Sequence, residues 1–532
     1  MPPPFLHRHR DAVTGALLSL GSAVFLYPFV RVLWRIGDEG TLVHNAQRVV
    51  EGALPYRDFF DVMGPGSFYW LGLFFKLFGT QWLVARGVLL LTGVATALLM
   101  YRLARRLDPG PGALLPGLFY LAVSIPLWPG TNHHWDSNLF ALLAAAAFCL
   151  WQDRGRKVFL LLAGVAAGIT SCFIQQKGLF LFLGLAAAAF FTCRQAQDGW
   201  RQTCADLARL TLGYAGAGAA VILYFYAAGG LNDLVYANLI WPLSNYHKVN
   251  VVPYGYSLWE LFQPQFAAVC SHLSPPPWAR TLTILSMAPL YLILALPGLM
   301  IFLILGNSFS RAGRDRLLNS RMLSCIILGA ALWLSEIHRK DIMHLVYGSP
   351  LLLIVCFSLL KQGLVEKHKM AHGFVVGILG LGLFSLAAVN LVLANSAKEE
   401  MVTRVGKIYC FQQDEALEFL LKNTSPGEPV FIYPYYPMYY FLAGVSNPTR
   451  YSILMYQTNT EDQFKEVIED LEKARVKYVL WDTLVSGGNL SIWFPQYRNP
   501  PEDELILENY FLAHYDAVTE KNKFRILRRR EN

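Results

Sequence analysis

Asp38 and Glu39 stand side by side just past the first apolar segment of the chain. A carboxylate at the rim of a bilayer is costly unless it faces water or a partner, so an acidic pair there marks a candidate reaction centre. A carboxylate held at the edge of a cavity can act as a general base. The loop that follows contains Pro55-Tyr56-Arg57-Asp58-Phe59-Phe60-Asp61 and Gly64-Pro65-Gly66, which makes Tyr56, Arg57, Asp58 and Asp61 candidate substrate contacts. The plain alternative places both acids in the first turn of an interfacial helix running to about Val50, where negative charge is favoured.

Three further segments concentrate unusual polar chemistry: Thr131-Asn132-His133-His134-Trp135-Asp136, Gln175-Gln176-Lys177, and Glu336-Ile337-His338-Arg339-Lys340-Asp341-Ile342-Met343-His344. His133 and His134 with Asp136 are metal-ligand types, but adjacent histidines diverge on most backbones and the spacing is not that of a known site. A polar interfacial role is preferred for them, and no metal is assigned.

The elements that must position these residues cross a membrane. Of 532 residues 54% are hydrophobic and only 15% charged, with mean hydropathy +0.36, whereas a soluble enzyme carries about a quarter charged residues. Apolar runs long enough to span a bilayer recur near 12–30, 82–101, 111–127, 138–152, 157–174, 178–193, 209–228, 280–305, 322–335, 343–360 and 372–394, giving about 11 transmembrane helices. The formal net charge of +8 is dispersed over short loops, which excludes a nucleic-acid-binding face. Those loop charges set orientation: Arg102, Arg105, Arg106, Arg154, Arg156, Lys157, Arg311, Arg314, Arg316 and Arg321 fall on one side, taken as cytoplasmic. The polar segments above, together with 229–278, then lie on the outer face. The chain is expected to be a multi-pass protein of the inner or plasma membrane.

Past residue 396 the composition becomes that of a small soluble α/β unit. Pro429–Pro434, Lys477–Trp481 and Phe524–Leu527 read as strands, and Glu461–Arg475 as a helix with one charged face. The expected division is 1–396, a membrane-embedded catalytic region, and 397–532, an extracytoplasmic domain.

A polytopic chain with an acidic pair after its first helix, the first-loop pattern P-Y-R-D-F-F-D-V-M-G-P and a soluble carboxyl-terminal domain resembles the GT-C membrane glycosyltransferases. Within that class it is most similar to the bacterial and archaeal branch related to protein mannosyltransferases and to the aminoarabinose transferase of lipid A. The resemblance implies transfer of a sugar, hexosyl or pentosyl, from a polyprenyl-phosphate carrier to a lipid, glycan or protein acceptor outside the cytoplasm. Asp38 is then the base toward the acceptor hydroxyl, and Glu39 assists or orients it. Asp136 either matches the second outer-loop acid of the family or caps the next helix. The leaving phosphate departs charged and needs cationic stabilisation; Lys177, His338, Arg339, Lys340 and His344 are the candidates to hold it. No cofactor is obligatory on this reading, although a diphosphate donor would call for a divalent cation. The rival class is a transporter or lipid flippase, which usually shows internal repeats and charges near the bilayer midplane; neither is evident here.

The orientation predicts that Asp38, Asp136, Lys340 and the carboxyl-terminal region all lie outside the cytoplasm. Lys340→Cys and Glu531→Cys should be labelled by a membrane-impermeant thiol reagent applied from outside, on a background without reactive native thiols. Labelling of the carboxyl-terminal site only from the cytoplasmic side would overturn it.

Overall fold

In a computed structural model the described residues are 4–34, 37–273, 275–367, 369–487, 489–521 and 523–531. The first half is a run of helices: α1 (Pro4–Val30), α2 (Gly37–Val50), α3 (Pro65–Phe78), α4 (Trp82–Ala104), α5 (Leu115–Val123), α6 (His133–Arg154), α7 (Val158–Phe173), α8 (Gln175–Gln195) and α9 (Trp200–Ala227). Their limits follow from local chemistry. Pro65 opens α3 at a position where a missing N–H costs nothing. Asn132 caps α6 by accepting from the His134 N–H, and Gly155 ends it in the left-handed conformation.

Among the described residues six helical segments are long and apolar enough to cross a membrane: Arg10–Val30, Trp82–Ala104, Gln175–Gln195, Trp200–Ala227, Pro276–Ser308 and Gly373–Ser396. Two bent pairs raise this to eight: Arg311–Leu317 with Ser320–Ser335, bent by 63°, and Ile342–Gly348 with Pro350–Lys361, bent by 72°. Pro111–Val123 and Val158–Phe173 are shorter apolar helices. The expected eleven spans are thus not all full spans. Run 322–335 is one limb of a bent pair, and run 343–360 is itself a bent pair, broken where Pro350 follows Gly348-Ser349, since the proline has no N–H to donate and its ring clashes with the carbonyl four residues earlier.

Ion pairs mark the two ends of the bundle. At one end Asp11 meets Arg105 at 2.8 Å, Asp153 meets Arg106 at 2.8 Å, Asp108 meets Lys361 at 2.7 Å and Asp206 meets Lys157 at 2.6 Å. These are the loops with the plain basic residues. The polar segments gather at the other end, where Gln176 bonds His338 and the Gly255 N–H donates to the Lys340 carbonyl at 2.8 Å.

The last long helix, Lys369–Ser396, leads into a hairpin of β1 (Glu399–Thr403) and β2 (Gly406–Cys410). A four-stranded sheet follows, built from β3 (Val430–Tyr433), β4 (Tyr478–Asp482), β5 (Tyr515–Lys521) and β6 (Phe524–Arg529) in the order β3-β4-β6-β5. Strands β3 and β4 are parallel, joined through the helix Glu461–Lys473, whose start carries a Thr460–Gln463 capping box. The expected strands and helix are present; β1, β2 and β5 are additional.

This sheet unit sits on the end that carries the polar segments. Leu33 N–H donates to the Tyr409 carbonyl at 2.8 Å and Trp82 N–H to the Val405 carbonyl at 2.9 Å. One apolar core mixes Leu42, Phe59 and Phe68 of the membrane-proximal part with Ile432, Tyr440 and Ile526 of the sheet unit. Packing therefore runs without a break across the residue 396–397 division. The approach is closest at α2: a Cβ on Gly40 would lie 2.4 Å from the Met438 backbone nitrogen, and one on Gly37 2.2 Å from the Tyr435 ring.

Glu39 is fully buried and belongs to this framework. It accepts from Arg86 and from the Thr131 backbone N–H, both at 2.8 Å. Arg86 also donates to the Pro129 carbonyl and lies over the Trp82 ring at 4.1 Å. Removing one partner of such a pair strands the other charge, at a cost of about 3 to 5 kcal/mol. Arg86→Ala should therefore lower the thermal unfolding midpoint of the detergent-solubilised protein markedly; an unchanged midpoint would contradict the framework role.

Candidate functional site

Asp38 occupies the first turn of α2 and is half-exposed. Its Oδ1 accepts from the Tyr435 hydroxyl at 2.5 Å, so a residue of the sheet unit fixes its orientation, and among the described residues no hydrogen bond reaches its second oxygen. Burial and the Asp38 charge together push the Tyr435 phenol well above its ordinary value, which keeps Tyr435 the donor. The field of Asp38 reaches Asp61, Tyr246 and Arg339.

Of the other acids at this end, Glu39, Asp61, Asp136, Glu336 and Asp341 are all buried. Asp136, in the first turn of α6, accepts from Thr92 of α4 at 3.2 Å. It lies two residues from His134 and so on a different face of the helix; among the described residues no hydrogen bond joins it to Asp38. Asp61 accepts from Asn45 at 2.8 Å and from the Met63 N–H at 2.9 Å. Arg57 and Asp58 form a surface clip at 2.8 Å, and Asp58 also accepts from the Leu54 N–H at 2.7 Å. Tyr56 is buried, donates to the Met63 carbonyl at 2.6 Å and adopts a positive φ of 73°. Of the four expected loop contacts, Tyr56, Arg57 and Asp58 therefore shape the loop, and Asp61 is buried within reach of the Asp38 charge.

The expected phosphate-binding residues divide in the same way. Lys177, in the first turn of α8, is fully buried, with its ammonium 2.6 Å from Glu336 Oε1, 2.9 Å from Asn138 Oδ1 and 3.2 Å from Ser137 Oγ. Arg339 donates to Asp341 at 2.6 Å, to the Trp493 carbonyl at 2.8 Å and to Asn250, under the Phe494 ring. Burial alone would push the Asp341 carboxyl up, but His344 and Arg339 beside it hold it well below the usual carboxylate range. Lys177 and Arg339 are thus each matched to a buried carboxylate. Lys340 is half-exposed and its ammonium has no ion pair among the described residues; His338 is exposed and bonded to Gln176.

Beside Asp341 lies a histidine cluster. His134 stacks on Tyr347 at 4.2 Å between centroids and packs edge-on to His344 at 4.8 Å, with its Nδ1 3.8 Å from Glu336 Oε2. Among the described residues two groups of three bring ligand-type atoms mutually within 4.8 Å: His134 with Glu336 and His344, and Cys193 with Asp198 and Asp206. The second group sits at the opposite end, where Asp206 is already matched to Lys157 and Arg209.

Glu336 and Tyr435 were not singled out by the sequence as site residues. Glu336 had a signal, as the first charge of the Glu336–His344 run. Tyr435 had none, because only the fold brings it back to α2.

The environment of Asp61 gives a pH test. Burial, aided by Asp38, raises its carboxyl from an ordinary 3.8 to about 6, against the opposing hydrogen bonds of Met63, Val62 and Asn45. A raised acid contributes stability that is present below the unfolded value and lost as pH rises through the folded one, here about pH 4 to 6. The unfolding midpoint should fall over that window, and fall less in Asp61→Asn. Equal falls in both proteins would contradict the assignment.

No protein-family model matches the chain, and no curated protein matches its sequence. Solved structures match it in fold. ArnT from Cupriavidus metallidurans bound to undecaprenyl phosphate is similar over 97% of this chain and 97% of its own, at 13% identity and TM-score 0.55. The same protein in the apo state covers 97% of this chain and 98% of its own, at 14% identity and TM-score 0.54. The Archaeoglobus fulgidus oligosaccharyltransferase, in complex with Zn and sulfate, covers 96% of this chain and 73% of its own, at 14% identity and TM-score 0.54. The helical bundle and the sheet unit that caps it thus form, along nearly the whole chain, the fold of the GT-C membrane glycosyltransferases.

Proposed function

We propose that this chain is an integral-membrane glycosyltransferase that moves a sugar from a polyprenyl-phosphate-linked donor to a lipid, glycan or protein acceptor on the extracytoplasmic side. The observation that carries the reading is the state of Asp38. Of Asp38, Glu39, Asp61, Asp136, Glu336 and Asp341 it alone is half-exposed; Asp58, also half-exposed, is clipped to Arg57, whereas Asp38 is held in place by Tyr435. The GT-C fold, and the undecaprenyl phosphate bound by ArnT, support a polyprenyl-phosphate carrier here.

The transfer balances as a single displacement. The acceptor oxygen forms a bond to the anomeric carbon as the carbon–oxygen bond to phosphate breaks. The acceptor proton passes to the free oxygen of Asp38, and the polyprenyl phosphate leaves with the bonding pair. Tyr435 holds the carboxylate against rotation. Lys340 and His338, at the exposed edge of the Glu336–His344 segment, meet the phosphate first. Lys177 and Arg339 act behind them, and Glu39 and Asp136 serve the framework rather than the proton transfer.

Asp38→Asn keeps the hydrogen-bonding shape of the site and removes proton acceptance. Transfer from purified donor lipid in detergent should fall by about two to four orders of magnitude, while donor binding persists. Lys340→Ala, losing one charged contact of about 1.5 to 3 kcal/mol, should weaken donor use roughly tenfold or more. Near-normal transfer by Asp38→Asn would remove the base assignment. Transport that needs sealed vesicles, without sugar transfer in detergent, would instead favour a flippase.

A further inference from the structure

We infer that His134, Glu336 and His344 form a binding site for one divalent metal ion of the zinc class, an open three-ligand site at the capped end of the bundle. The three come from the start of α6, the end of the helix Ser320–Ser335 and the helix Ile342–Gly348, so only the fold assembles them.

Unsatisfied buried atoms point to the site. His134 Nδ1 and both carboxylate oxygens of Glu336 are buried without an aligned hydrogen bond among the described residues. Lys177 touches Oε1 at 2.6 Å as an ion-pair contact, which leaves Oε2, 3.8 Å from His134 Nδ1, facing the imidazoles. Buried polar atoms are rarely left without partners, and a role in holding an ion is one of the few physical reasons for such a group. His134 Nδ1 and Glu336 Oε2, which have no such contact, face one another and ask for a shared partner.

The donor set fits that partner. Two imidazoles and one carboxylate, with a position left open, is a ligand set zinc takes at reactive sites, with metal–ligand distances near 2.0 to 2.2 Å. Tetrahedral ligands at that range lie about 3.4 Å apart, so atoms already within 4.8 Å of one another need only rotamer-scale adjustment. His344 is prepared for the role. Its Nδ1 bonds Asp341 Oδ1 at 2.8 Å, an arrangement that fixes the ring and leaves Nε2 as the ligand, as carboxylates do behind metal-binding histidines.

Charge gives the site a purpose, and here the argument rests on the glycosyltransferase reading. Lys177 with Glu336 and Arg339 with Asp341 sum to zero, and Asp38 adds a negative charge. Among the described residues of the Glu336–His344 segment, Lys340 is then the cation that an incoming phosphate finds without a matching carboxylate. A divalent ion on the Oε2 side of Glu336 reverses that sign. When bound, it supplies Lewis-acid stabilisation to a phosphate oxygen at the open position.

Untagged full-length protein in detergent, stripped with a chelator, should be titrated with Co(II) and with Zn(II). The wild type should take up one equivalent and show the visible bands of low-coordinate cobalt. His134→Ala and His344→Ala, which leave the Lys177–Glu336 pair intact, should bind at least tenfold more weakly while still unfolding cooperatively without metal, and added Co(II) should raise the unfolding midpoint of the wild type and of neither variant. Glu336→Gln strands Lys177 and does not serve as the test variant. Failure of the wild type to bind, or equal binding by both histidine variants, would overturn the site. Polyprenyl monophosphate added to the cobalt protein should shift the bands. An unshifted spectrum would overturn the phosphate role alone, and absent sugar transfer with intact cobalt binding would count against the transferase reading alone.

Discussion

Lys177 and Glu336 lie 2.6 Å apart with 0% and 1% of their side chains exposed. Two charges withdrawn this far from water are tolerable only in each other's company, because either one alone would cost several kcal/mol. Their pairing ties the start of α8 to the end of the helix Ser320–Ser335, and Ser137 and Asn138 of α6 close around the ammonium. The segment after Glu336 then has a fixed origin. From it the chain turns through Arg339, Asp341 and His344, each locked by the next, so this one contact sets the geometry of the histidine cluster and the charged rim.

The sheet unit is the second constraint. It packs into the same core as α2 and α3, and approaches α2 so closely that Gly37 and Gly40 have no room for a side chain. Tyr435 holds Asp38 from one side, while the Trp493 carbonyl and the Phe494 ring hold Arg339 from another. Both the candidate base and the charged segment are therefore positioned partly by residues 39 to 98 places beyond the last long helix. The unit is part of the site and more than an appended cap.

The sequence made the architecture legible where a single physical rule dominates. Apolar runs gave the helices, loop charges separated the two ends, and short β-rich runs gave three of the four sheet strands. The span count was harder, because bends at Asn319 and before Pro350 divide apolar runs that look continuous or merely short. At the site, Asp38 and the Glu336–His344 run stand out by their charge. Whether a charge is free is a tertiary fact, and the roles of Glu39, Asp136 and Lys177 turned on partners such as Arg86, Thr92 and Glu336 that are distant in the chain. The same applies to His134, which its sequence neighbours His133 and Asp136 left as a polar interfacial residue, whereas the fold turns it toward Glu336 and His344.

The central claim is that the donor phosphate is handled at the end of the bundle capped by the sheet unit, next to Asp38. The opposite end offers a real competitor: a cavity of about 500 Å³ lined by Arg106, Arg316 and Arg321. The most direct measurement is an electron cryomicroscopy map of the full chain with bound polyprenyl monophosphate. The account predicts phosphate density beside Asp38, in contact with Lys340 or His338 and facing the histidine cluster. Density among Arg106, Arg316 and Arg321, with the Asp38 side unchanged, would contradict it.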